Sequence, residues 1–96
     1  MADQIEVCAD RVQFNGVVEN ENGAVNLLAL EANQVLDRHI APAELMVYVL
    51  EGDIEFTMIN RPHDLRQGEF MLVGANVPHS VVARKRSKVL LIKLKA

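Results

Sequence analysis

Residues 45–59 read Leu-Met-Val-Tyr-Val-Leu-Glu-Gly-Asp-Ile-Glu-Phe-Thr-Met-Ile. An apolar run of six residues, 45–50, stops at Glu51-Gly52-Asp53. A second run, 54–59, then alternates, with Ile54, Phe56 and Met58 on one face and Glu55 and Thr57 on the other. A period of two is the mark of a half-buried strand. Two such runs around a glycine predict a hairpin.

The same signature extends in both directions. Short runs of Val, Ile and Leu at 12–18, 24–30, 35–39, 69–73, 80–83 and 89–94 are bounded by Gly, Asn, Asp and Pro. Turns are expected at 19–23, at Ala41-Pro42-Ala43, at Arg61-Pro62-His63-Asp64 and at 84–88. The one helical candidate, 22–34, has no apolar stripe and is interrupted by Asn26 and Asn33. Strands this short and this regularly spaced predict an all-β sandwich or barrel.

Ninety-six residues make one domain, 1–96. A chain of this size hides only roughly 60–65% of the surface that its unfolded form exposes. Half of its residues are hydrophobic. An apolar outer face that pairs with a second copy, a homodimer, is therefore expected. Met46, Tyr48 and Leu50 are candidates for that face if Leu45, Val47 and Val49 fill the interior, together with the Leu and Ile residues near the C-terminus. The lone cysteine, Cys8, allows no internal disulfide and no zinc spacing. The acidic start lacks the features of a secretory signal, and no apolar run approaches the ~20 residues that span a bilayer. A cytoplasmic protein with no membrane partner is expected. A net charge of −3 and only four aromatic residues argue against nucleic acid, the basic run 84–88 included.

The histidines are His39, His63 and His79. His63 is expected at the exposed tip of a turn. His39 and His79 each end or begin an apolar strand beside a proline-containing turn. Asp37 lies two residues before His39, which in a regular strand puts both on one face. A carboxylate and an imidazole on one strand, with a second imidazole from a distant strand, make a 2-His-1-carboxylate composition. Such a set suits Fe, Mn, Ni or Zn as a divalent ion.

The stretch Asp37-Arg38-His39, then Tyr48-Val49-Leu50-Glu51-Gly52-Asp53, then Gly68-Glu69-Phe70 with Val77-Pro78-His79, resembles the two motifs of the cupins. The resemblance covers residues 24–94 and implies a jelly-roll, double-stranded β-barrel with a small-molecule pocket at its mouth. It maps His39 onto the second histidine of the first motif and His79 onto the histidine of the second. The first histidine position holds Asp37 and the glutamate position holds Leu45, with Glu44 one residue away. Gly74, Asn76 and Ala83 replace the Pro, Gly and Asn of the second motif. Three readings follow from the resemblance. Asp37, His39 and His79 hold a divalent metal; or Glu44 joins them; or no metal binds, and His39, His79, Leu45 and Phe56 line a ligand pocket.

Two functional classes follow in turn. One is a binding barrel that takes a small molecule directly. The other is a metal-dependent dioxygenase, isomerase or decarboxylase built on Asp37, His39 and His79. Leu45 separates them, because an apolar residue at a ligand position leans towards binding.

Overall fold

Alternation sets the two faces of most strands, and the more deeply buried apolar set of β4, β5, β8 and β9 turns inward. The structure, a computed structural model, describes residues 13–20, 23–40 and 43–94. Cys8 and the side chains of Asp37 and His39 lie outside the described residues. The strands are β1 (Gln13–Asn20), β2 (Gly23–Leu30), β3 (Val35–His39), β4 (Glu44–Glu51), β5 (Asp53–Met58), β6 (Arg61–Arg66), β7 (Phe70–Val73), β8 (His79–Ala83) and β9 (Ser87–Leu94). No helix occurs among the described residues, and the described part of that candidate, 23–34, is strand and turn.

The strands form two antiparallel sheets, β1-β2-β9-β4-β7 and β3-β8-β5-β6. Most connections carry the chain from one sheet to the other, which is the jelly-roll arrangement. The core lies between the sheets. Leu45, Val47 and Val49 of β4 and Val89 and Leu91 of β9 pack against Ile54, Phe56, Leu65 and Val81 of the other sheet. Each large side chain buried in this way contributes roughly 1.5–3 kcal/mol. Met46, Tyr48 and Leu50 point to the opposite side of β4, as the alternation predicts.

Two expectations fail here. Residues 45–50 and 54–58 do not form a hairpin: β4 pairs with β7 and β9, and β5 pairs with β6 and β8. Gly52 is a corner between sheets. It adopts φ +100°, and a Cβ there would collide with Ser87 and with the carbonyl of Arg86. The hairpin in this stretch joins β5 to β6 through Ile59 and Asn60, both at positive φ (52° and 59°), a two-residue turn of the primed kind. Arg61-Pro62-His63-Asp64 is consequently strand and not turn. The proline is tolerated because β6 is an edge strand, where a missing donor breaks no ladder. His63 is half-buried opposite Phe56, on the same side of β6 as buried Leu65, and is not an exposed turn tip.

The connections gather at two ends. One end holds the turns after β2, β4, β6 and β8. There Ser87, wholly buried, accepts a hydrogen bond from Asp53 N (3.0 Å) and donates to the Lys85 carbonyl (2.7 Å). Arg84 bridges Asp53, Glu55 and Asp64 on the outer surface. The basic run 84–88 is thus partly neutralised, and it crosses between the sheets where a hairpin turn was expected. The Asp64 carboxylate first, then those of Glu55 and Asp53, push the Arg84 pKa up. The other end, the mouth, holds the turns after β3, β5 and β7.

Candidate functional site at the barrel mouth

His79 opens β8 at the mouth. Pro78 precedes it and fixes the approach of the chain. The side chain turns inward and is only 3% exposed. Its Nδ1 lies 3.0 Å from the Val77 carbonyl. A carbonyl can only accept, so Nδ1 carries a proton and donates it to Val77. The ring also stacks on Phe56, with centroids 5.6 Å apart and planes 22° from parallel. The ring orientation and the Nδ1 proton are both fixed by neighbours, as in many ligating or recognising histidines.

The residues predicted to join His79 are distributed as follows. His39 stands opposite His79 in the β3–β8 register. The register shifts between Leu36 and His39, so the two-residue spacing from Asp37 no longer guarantees a shared face. Leu45 is buried in the core, flanked in its sheet by Val73 and Lys93. Phe56 is wholly buried and touches the site through its stacking on His79. Glu44 is exposed and pairs with Leu94, on the side of β4 away from Leu45. A cavity of about 160 Å³ opens at the rim, lined by Thr57, Ile59, Asn60, Pro78, His79 and Ser80.

These positions test the metal set that the resemblance implies. Leu45 offers no donor where a glutamate would stand, and Glu44 points the other way. Among the described residues no group of three His, Cys, Asp or Glu stands together. A three-histidine, one-glutamate site does not fit this chain.

Sequence reasoning missed three residues at the mouth. Lys93 follows Val89 and Leu91 at spacings of two and so shares their inward face. Arg61 likewise shares the core-facing side of β6 with Leu65. Ile59 leaves the strand expected for it and is 67% exposed in the turn. The alternation of β9 carried the signal for Lys93, since it continues to the end of that strand.

A family model described as a cupin domain matches residues 26–93. No curated protein matches the chain. Among solved structures, a cupin superfamily protein from Desulfitobacterium hafniense superposes with a TM-score of 0.94 at 19% identity, over 100% of this chain and 88% of that one. An RmlC-like cupin from Desulfovibrio desulfuricans gives 0.87 at 27% identity, over 94% and 88%. A conserved protein of unknown function from Streptococcus pyogenes gives 0.91 at 22% identity, over 99% and 83%. No helix among the described residues is long and apolar enough to cross a membrane.

Proposed function

The chain belongs to the cupin family, and on that premise we propose that it is a small-molecule-binding barrel whose ligand enters at the mouth and meets His79. The observation that carries this reading is the state of His79. It is a buried imidazole with a hydrogen-bonded Nδ1 and a stacked ring, at the end of the barrel where His39 faces it in register. A polar group buried and oriented to this degree is suited to recognition. Leu45 supports binding over metal catalysis, because it removes a donor from the same end.

A second reading is favoured by the His39–His79 register. In it Asp37, His39 and His79 hold Fe, Mn, Ni or Zn, and the ion supplies a Lewis acid or an oxygen-binding centre for a dioxygenase, isomerase or decarboxylase. Metal content by plasma mass spectrometry, on untagged protein and on His79→Ala, separates the two readings. The binding reading expects no stoichiometric metal, even after reconstitution, and a metabolite-induced thermal shift that disappears in the variant. Near-stoichiometric metal that is lost in the variant would replace it with the enzyme reading.

We further propose that the barrel works in the cytoplasm as a homodimer, joined through the outer face of its five-stranded sheet. Two apolar rows cross that face in register: Leu27, Leu90, Tyr48 and Phe70, then Val25, Ile92, Met46 and Leu72. Phe70 and Leu72 are 58% and 65% exposed in the single chain. Leu27 is already buried in the single chain, and the exposed end of the rows, at Phe70 and Leu72, suits a self-complementary two-fold contact. Analytical ultracentrifugation should give twice the chain mass, falling to the chain mass in Tyr48→Glu.

A further inference from the structure

The mouth has a charge character that the histidines alone do not reveal. Two rows of residues close it, one from each sheet. In the five-stranded sheet, Ala24, Lys93, Leu45 and Val73 stand side by side in register. In the other, His39, His79, Met58 and Arg61 do the same. Lys93 is half-buried on the inward face, with Leu91 and Leu45 as its inward neighbours. Among the described residues neither Lys93 nor Arg61 has an ion-pair partner. The nearest carboxylate along the Lys93 row is Glu19, exposed on edge strand β1 beyond Ala24. Two strand spacings separate them, about 9–10 Å.

We infer that the mouth takes a small organic carboxylate, with the Lys93 ammonium as its charge partner. The inference rests on the binding reading above and names the ligand class. Packed sheets stand about 10 Å apart, and the four-carbon stem of lysine carries its charge from one sheet towards the other. Its neighbour in register on β4 is apolar Leu45, with Val73 beyond it, so this part of the row supplies no negative group for the charge. A cation here repels a metal ion as strongly as it attracts an anion. The same row thus explains both the unsuitable metal set and the expected ligand.

The remaining walls fix the class more narrowly. Met58 and Met71 are half-buried against the core at this end. Thioether side chains re-pack readily around an apolar guest. The half-buried Lys93 ammonium in apolar surroundings matches one carboxylate on a short aliphatic body, while Arg61 stands exposed on edge strand β6. A phosphate, with more charge and more acceptor oxygens, calls for several converging donors.

Calorimetric titration of the full chain tests this with butyrate, its neutral analogue butyramide, and inorganic phosphate. Butyrate should bind at least about tenfold more tightly than butyramide, the range of one charge-assisted hydrogen bond. Lys93→Met should remove that preference and leave butyramide unchanged, while Lys93→Arg should keep it. Circular dichroism and the thermal midpoint report whether each variant is folded. Equal binding of butyrate and butyramide, both lost in His79→Ala, would overturn the carboxylate assignment and leave the binding reading standing. Phosphate binding in preference to butyrate would also overturn it. If none of the three binds, the assignment falls; a metabolite panel with no His79-dependent shift would then remove the binding reading as well.

Discussion

The two ends of the barrel treat their polar groups and their backbone in opposite ways. At the closed end, the positive-φ positions are Asn33, Gly52 and Gly68, residue types that tolerate that conformation. Ser87 is satisfied on both sides, and Arg84 is held by three carboxylates. At the mouth, Asn60 and Asn76 tolerate positive φ in the same way, but Ile59 occupies the left-handed region although its β-branched side chain disfavours it. Lys93 and Arg61 stand there without ion-pair partners among the described residues. The closed end spends its chemistry on the fold, while the mouth carries groups that the fold does not use.

Three substitutions put this contrast under strain. The largest effect is expected at the closed end. Gly52→Ala places a methyl group against Ser87 and Arg86 at a φ that alanine resists, and should cost about 3 kcal/mol. Urea unfolding measures this; a loss under about 1 kcal/mol would mean that the corner relaxes freely and that the two ends differ less than described. A smaller effect of opposite sign is expected at the mouth. Ile59→Asn should raise stability by about 1 kcal/mol, because asparagine accepts the left-handed turn and Ile59 is mostly exposed. No gain in the same assay would mean that Ile59 is not a local departure from what the fold prefers. The smallest effect belongs to Arg84→Gln. Its partners are surface carboxylates, so the thermal midpoint should fall slightly at low salt and match that of the wild type near 1 M salt, where the Debye length is about 3 Å. A drop that persists at high salt would show a packing role beyond charge.

Most of the architecture was legible because alternation is a local property. Residues 54–58 announced their own faces, and β3 could be read from 35 to 39 without help. Pairing was less legible. Gly52 looks like a hairpin turn in sequence, and only the approach of Ser87 from 35 residues further along the chain makes it a corner. Arg61-Pro62-His63-Asp64 resembles a turn by composition, and only its place at a sheet edge lets it be a strand. At the site, the Val77-Pro78-His79 stretch marked the buried imidazole in advance. Lys93 was hidden because it follows the apolar run 89–92 near the end of the chain, and its relation to Leu45 is a matter of register between strands far apart in sequence.

Pro62 carries a consequence for assembly. A jelly roll leaves strand edges open, and an edge with a full set of donors and acceptors invites a neighbouring chain to add to it without limit. On β6 one donor is missing, and the flanking Arg61, Asp64 and Arg66 are charged and exposed. Growth along that edge is therefore discouraged. Filaments are disfavoured on this side, and the proposed dimer through the apolar face would close without extending along it.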